Sequence, residues 1–471
     1  MSAHVPMRRA ALSLMVIALT GCSFAPTFER PAAPIPATWS ATASPGAATA
    51  TALQWEEFVT DERLGARIDK ALANNRDLRQ ALLNVQAARA AYRVQRADQL
   101  PAVSAQASGS RQRQPADLSG TGGSTVQSNY QVNAGLMAFE LDLFGRVQSL
   151  SEAAQMEYLA TQEATRSVQI SLIAEVIQAS LSQDSARRRK ALALRTVQAR
   201  EKEWQLVSER HKVGTASRLD EQEAQGLVEL ARADVERFER ELRQASNALS
   251  WLVGDGLVQA ESELSSTPLV QEIAAGMPSD LLVQRPDIRA AEYQLRSRNA
   301  SIGAARAAFF PRISLTGSYG SGSAELSGLF DGAQRAWSFM PQISLPIFDG
   351  GRNQANLEIA QLRKDMAVAT YERSIQTAFR EVSDALAAVE TLRREESARQ
   401  RLVQTSTNTR KLAELRYRTG VDSHLRYLDA QRTDFTQQMA LIEVSAQRQM
   451  ALVALFKALG GGWQGHSGLY Y

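Results

Sequence analysis

DLRQALLNVQAARAAYRVQRADQLPAVS (residues 77–104) and DIRAAEYQLRSRNASIGAARAAFFPRIS (residues 287–314) align without a gap, and eight of their 28 positions are identical. The identities are Asp77/Asp287, Arg79/Arg289, Ala81/Ala291, Ala90/Ala300, Arg96/Arg306, Ala97/Ala307, Pro101/Pro311 and Ser104/Ser314. Self-similarity at a fixed offset marks a duplicated chain. The offset is 210 here and 206 further on, where Gly145-Arg146 matches Gly351-Arg352 and Glu175-Val176 matches Glu381-Val382. Leu206–Gln225 then matches Leu412–Gln431 with seven of 20 identical, and Gly254/Gly460 closes the series. The change of offset places four extra residues in the first half, between Ser104 and Gly145.

Each half reads the same way. A helix ends near Pro101 or Pro311, a Gly/Ser-rich stretch follows, and a long helical region comes next, broken once near Gly214 or Gly420. Val147 to Glu209 holds no Pro and no Gly and is rich in Ala, Leu, Glu, Gln and Arg, all strong helix formers. Sixty helical residues would reach ~90 Å at 1.5 Å per residue. Gly214 followed by Thr215, Ala216 and Ser217 suits a helix–helix turn.

The stretches between helices change period. Trp337, Phe339, Ile343, Leu345 and Ile347 alternate with Ser338, Met340, Gln342, Ser344 and Pro346. Pro341 occupies a slot on the apolar side and is expected to weaken the ladder there. Ile313, Leu315, Gly317 and Tyr319 alternate with Ser314, Thr316 and Ser318. Val103, Ala105 and Ala107 do so with Ser104, Gln106 and Ser108; Tyr130, Val132, Ala134 and Leu136 alternate less cleanly. Period two predicts four strands of about ten residues each. The turns are expected over Gly109–Gln127 and Gly320–Arg335.

The 471 residues exceed one compact core and imply several domains or one elongated fold. Lys+Arg number 53 against 50 Asp+Glu, mixed along the chain, so no basic block offers a nucleic-acid footprint. A single Cys excludes an intrachain disulfide framework and a Cys-based zinc cage. Four His at 4, 211, 424 and 466 form no sequence cluster for a metal or a triad. There is no His-Glu-x-x-His, no Gly-Lys-Ser/Thr phosphate loop and no Gly-x-Ser-x-Gly, so neither an enzyme nor a cofactor is expected.

The N-terminus reads as a leader. Arg8 and Arg9 precede the apolar run AALSLMVIAL (residues 10–19), and Leu19-Thr20-Gly21-Cys22 closes it. This is the pattern of a bacterial lipoprotein signal, with Cys22 the acylated first residue after cleavage. Ser23 at the next position favours the outer membrane. Phe24 to Thr51 carries Pro26, Pro31, Pro34, Pro36 and Pro45, a density that breaks helices and reads as a tether. The organisation predicted is therefore a signal peptide over 1–21, an acylated tether over 22–51, repeats over 52–276 and 277–462, and a tail over 463–471. No segment after the leader has 18 uninterrupted apolar residues. Alternation alone fits soluble hairpins packed on helices as well as a membrane sheet; the leader favours the membrane. Four strands cannot close a membrane barrel, whose lower limit is about eight, and open edges are not tolerated in lipid. Three chains would supply twelve.

Six stretches carry a family resemblance: CSFAPTFERP (22–31), WEEF (55–58), NNRDL (74–78), FELDLFGR (139–146), PSDLLVQRPDIR (278–289) and LPIFDGGR (345–352). Together they resemble the TolC-like outer-membrane factors, in the NodT/OprM lipoprotein branch, over essentially the whole mature chain. The resemblance implies a mainly α homotrimer with a twelve-stranded β-barrel in the outer membrane, a long periplasmic α-helical barrel and a mixed equatorial region. That region is assigned to about 52–75, 185–203, 255–285, part of 390–408 and the C-terminal tail. The partners implied are a periplasmic membrane-fusion adaptor and an inner-membrane RND transporter, with outer-membrane lipid around the barrel.

By the same resemblance, Arg210–Asp220 and Arg416–Leu425 are adaptor-docking tips, with Arg210, Gly214, Thr215, Ser217, Leu219, Arg416, Gly420 and Ser423 as their residues. The copies differ, Thr215-Ala216 against Val421-Asp422, so the two docking sites need not be equivalent. The gate maps to Leu425 and Asp429, one helical turn apart, with Tyr417 in the hydrogen-bond network of the tip. Three copies of Asp429 would gather like charge and attract cations. Arg426 departs from the acidic residue of the family archetype and favours one apolar and one acidic layer. Bland readings stand beside these: the glycines as simple helix stops, Asp429 as a solvated charge. The function that the resemblance implies is the outer-membrane exit duct of a tripartite efflux pump, through which drugs or other small toxic compounds leave passively; two other functions stand beside it. A type I protein-secretion duct usually lacks lipidation, and a lipid-anchored scaffold would conduct no ions.

Overall fold

The computed structural model describes residues 24–36, 38, 48–49, 54–117, 122–254, 269–274 and 280–461. Cys22, the leader and the C-terminal tail lie outside the described residues, as do 255–268 and 275–279 of the expected equatorial region. In chain order the elements are β1 (Ala48–Thr49), α1 (Trp55–Phe58), α2 (Glu62–Asn74), α3 (Arg76–Ala97), β2 (Val103–Gln114) and β3 (Thr125–Leu141). Then come α4 (Arg146–Lys212), α5 (Arg218–Val253), β4 (Ile273–Ala274), α6 (Leu281–Gln284), α7 (Pro286–Ala307) and β5 (Arg312–Ser323). A short 3-10 turn (Gly332–Gln334), β6 (Arg335–Ser344), α8 (Arg352–Arg418) and α9 (His424–Ala458) complete the series. The aligned stretches of the two halves form α3 and α7, each of 22 residues, and α4 and α8 each have 67.

Contacts group the chain into two units, one from residues 1–32, 85–162 and 290–371, the other from 33–84, 163–289 and 372–471. The first unit holds an antiparallel sheet in the order β2-β3-β5-β6. Its register puts Val103, Ala105 and Ala107 of β2 on one face with Val132, Ala134 and Leu136 of β3. Tyr319, Leu315 and Ile313 of β5 and Trp337, Phe339 and Ile343 of β6 share that face. The opposite face carries Ser104, Gln106, Asn133, Gln131, Ser314, Thr316, Ser318, Ser338 and Gln342. One side is therefore apolar, with Trp337 76% and Phe339 60% exposed, and the other is polar.

The uneven alternation of β3 has a physical cause. A β-bulge lies between Leu136 and Phe139, and Ala138 adopts φ 47° there while its N–H donates to Thr316 Oγ1 at 3.3 Å. One extra residue inverts the in/out phase of a strand. Without it Phe139 and Leu141 would turn to the polar face; with it they pair with Leu315 and Ile313 on the apolar one. The strands are also longer than the pattern predicts: β2 has 12 residues and runs to Gln114, and β3 has 17 and begins at Thr125, both inside the stretch expected as turn. Glycine and serine in β2 and β5 hide strand in what composition reads as turn. Pro341 pairs with Leu315 without a register shift, so β5 and β6 stay aligned through the position expected to weaken the ladder.

The second unit has its own apolar core. Phe58 stacks on Phe456 at 4.3 Å between centroids, with Leu64, Ile68, Leu249 and Leu281 fully buried. Asp61 caps α2 by accepting from the N–H groups of Arg63 and Leu64, and β1 pairs in parallel with β4. The stretches assigned to the equatorial region at 185–203 and in part of 390–408 are helical, within α4 and α8. Helix α9 is long and apolar enough by composition to cross a membrane. Its last turns instead furnish core: Leu452, Val453, Leu455 and Phe456 are buried in this unit.

Candidate functional site

The second unit contains both interhelical turns named by the sequence, and they close by the same backbone device. Gly214 has φ 77°; its N–H donates to His211 O at 2.9 Å, and Thr215 N–H donates to Arg210 O at 2.8 Å. Gly420 has φ 76°; its N–H donates to Tyr417 O at 3.0 Å, and Val421 N–H donates to Arg416 O at 2.9 Å. This is the Schellman arrangement, which needs a left-handed residue after the helix end and so takes glycine.

Side chains then make the two turns different. Ser217 caps α5 in a capping box with Asp220: its hydroxyl accepts from Asp220 N–H at 3.1 Å, and Asp220 Oδ2 accepts from Ser217 N–H at 3.0 Å. The Ser217 hydroxyl, then its backbone N–H, hold the Asp220 carboxyl below the usual carboxylate range. Ser423 makes no such cap, because the matching third position is Arg426. There Arg416 grips Asp422 through two bonds of 2.7 and 3.0 Å and holds that carboxyl low. Val213, Leu219, Val421 and Leu425 are exposed at these ends.

Arg210 and Tyr417 come together: the guanidinium donates to the phenol oxygen at 2.8 Å and sits 5.5 Å from the ring centre. Tyr417 also packs on two rings of α9, His424 at 4.9 Å and Tyr427 at 5.6 Å. Burial pushes the Tyr417 hydroxyl up, and Arg210 opposes it. Leu425 and Asp429 lie a turn apart on α9, 67% exposed and solvent-facing respectively. Asp429 is not a lone charge, since Arg432 donates to it at 2.6 Å.

Sequence reasoning did not name Glu203, and it placed Asp422 and His424 in the second tip without their partners. His424 is buried, with Nε2 3.3 Å from Glu203 Oε1 but without hydrogen-bond alignment. Asp422 had a signal, being an acidic residue opposite Ala216 of the first copy, whereas Glu203 had none.

A sequence profile described as outer membrane efflux protein matches residues 67–255 and 277–461. The chain is 58% identical over 466 residues to outer membrane protein OprJ of Pseudomonas aeruginosa, covering 97% of each chain. It is 46% identical to the toluene efflux pump outer membrane protein TtgC of Pseudomonas putida, over 98% of this chain and 97% of that one. Its fold matches the open-state crystal structure of the MtrE outer membrane channel of Neisseria gonorrhoeae with a TM-score of 0.86 at 39% identity, over 94% of this chain and 99% of that one.

Proposed function

This chain belongs to the outer membrane efflux protein family, and we propose that three copies of it form the outer-membrane exit duct of a tripartite efflux pump. The observation that carries this reading is the four-stranded sheet with one apolar face and one polar face. Among the described residues β2 and β6 each lack a second neighbour. Unpaired edges in lipid cost several kcal/mol per group, and four strands are too few to close. Joining β2 of one copy to β6 of the next closes twelve strands, with the apolar face to lipid and the polar face to a water-filled lumen.

Transport through such a duct is diffusion, and the chain supplies walls rather than bond-making groups. Control falls to the helix turns. Leu425 and Asp429 form the constriction, Tyr417 and Arg210 brace it, and the exposed residues of both turns receive a periplasmic adaptor that couples the duct to an inner-membrane RND transporter. Drugs and other small toxic compounds are the cargo, as the name of the toluene pump relative suggests. Cys22 carries the acyl anchor.

Single-channel recording of the purified lipoprotein in planar bilayers tests the reading. A low-conducting wild type that opens more readily as Leu425→Ala supports it. Absence of any channel from protein that has inserted in the bilayer overturns it.

A further inference from the structure

Five residues of α7 fall on one helix face at steps of three and four: Glu292, Arg296, Asn299, Gly303 and Arg306. Each meets the N-terminal segment. Arg30 donates twice to Glu292, at 3.0 and 2.8 Å, and Glu292 is nearly buried. The Arg296 guanidinium lies 4.7 Å from the ring centre of Phe28. Asn299 donates to Pro26 O at 2.7 Å, and Arg306 donates to Phe24 O at 3.3 Å. A Cβ on Gly303 would lie 2.8 Å from Ala25 N and 2.6 Å from Ser149 Oγ, so only glycine lets the segment in. The lengths agree: six extended steps span ~20 Å and fourteen helical steps ~21 Å. At the end of the segment, the Phe24 ring stacks on Phe310 at 4.5 Å and Phe144 at 6.3 Å, and those two rings stack at 5.0 Å. Phe310 stands between α7 and β5, and Phe144 between β3 and α4.

The duplication supplies an internal control. The matching positions of α3 are Leu82, Gln86, Arg89, Arg93 and Arg96. Only Arg96 keeps the chemistry, and an arginine stands where the glycine is needed.

We propose that this face of α7 is a docking groove whose occupant is the chain's own segment Phe24–Arg30, and that the docked segment clamps the two helix–strand junctions, one from each repeat, against each other. Phe24 is the wedge of the clamp, and Gly303 with Glu292 fixes its register.

Hydrogen exchange read by mass spectrometry on the full-length protein in detergent tests this without reference to conduction. The reporters are the junction amides of Leu143, Phe309 and Phe310, which are bonded to Leu141 O, Arg306 O and Ala307 O. Phe24→Ala and Gly303→Val should each speed exchange at both junctions by roughly 5- to 10-fold, the factor given by losing aromatic contacts of ordinary strength. Phe24→Tyr, which keeps the stack, and Arg93→Ala, at the position matching Gly303, should leave it at the wild-type rate. Unchanged exchange in Phe24→Ala, or an equal rise in Arg93→Ala, would overturn the proposal. Phe24→Ala changes only the strap, so its result stands even where Gly303→Val folds poorly.

Discussion

Arg210 donates to the Tyr417 hydroxyl at 2.8 Å across 207 positions of sequence, tying the last turn of α4 to the last turn of α8. Its counterpart in the second repeat, Arg416, spends the same guanidinium on Asp422 within its own turn. Two copies of one motif have thus taken different work, one bracing a neighbouring helix and the other rigidifying a loop. The divergence follows from two positions: His211 stands where the second copy has Tyr417, and Ala216 where it has Asp422.

Tyr417→Phe should therefore favour the open constriction. It removes one charge-assisted bond while keeping the ring contacts with His424 and Tyr427. A loss of about 1–2 kcal/mol corresponds to a roughly 5- to 30-fold rise in the open-to-closed ratio. Open probability in planar bilayers reads this directly. Arg416→Ala, which leaves the brace intact, should raise it far less.

The serines give a second contrast. Ser217→Ala removes the capping box and should destabilise α5 by about 1 kcal/mol. Ser423→Ala should cost little, since Ser423 makes no side-chain cap. Exchange rates of the first-turn amides of α5 and α9 would separate the two, and equal effects would contradict the assigned caps.

Much of this was legible in the chain itself. The repeat, the positions of Gly214 and Gly420, and the two-faced strands follow from periodicity and from residues with special backbone freedom. The bulge was not, because Met137 and Ala138 are ordinary residues and only a partner strand reveals that two of them oppose Thr316. The strand length of β2 was hidden for a related reason: SGSRQRQ carries no apolar alternation, and its pairing with β3 decides its conformation. Pairs between helices, such as Arg210 with Tyr417 or Glu203 with His424, depend on side-chain geometry that spacing does not give, whereas the three-residue step from Asp429 to Arg432 within α9 places those two side by side.

Acid should loosen the turn before α5. Asp220 sits below its ordinary range because the Ser217 hydroxyl and N–H bond to the ionised form. A depressed folded value means that its contribution is present above the unfolded value of ~3.9 and is lost as pH falls through the folded one. Protection of the α5 first turn should therefore hold from pH 7 to 5 and decline below about pH 4. Asp220→Asn should flatten that dependence. A decline already complete at pH 6 would point to another group.

With the constriction proposed at Leu425 and Asp429, the pair Asp429 and Arg432 would set the charge seen by permeating ions. Their mutual bond at 2.6 Å offsets the acidic ring that three copies would make. Arg432→Ala should make the channel more cation-selective, and Asp429→Ala less so, with both shifts larger at low ionic strength. Reversal potentials in a salt gradient measure this. Identical selectivity in both variants would move the constriction elsewhere along the helices.

The orientation of the sheet is decided by a pair of neighbours in β6. Phe339 and Ser338 are adjacent in sequence and opposite in facing: Phe339 pairs with Gly317 on the apolar side, and the Ser338 hydroxyl meets that of Ser318 at 2.8 Å on the polar side. Lysine on a lipid-facing strand position near mid-membrane costs about 2–4 kcal/mol, whereas a lumen position tolerates it. In a trimer the cost is paid three times, so Phe339→Lys should abolish heat-resistant oligomer on gels. Ser338→Lys should assemble normally and reduce cation conductance, because its ammonium faces the water column. If Ser338→Lys fails to assemble while Phe339→Lys forms a working channel, the polar face is the one against lipid and the barrel is inside out relative to the register described. If both assemble with unaltered conductance, the sheet does not line the pore.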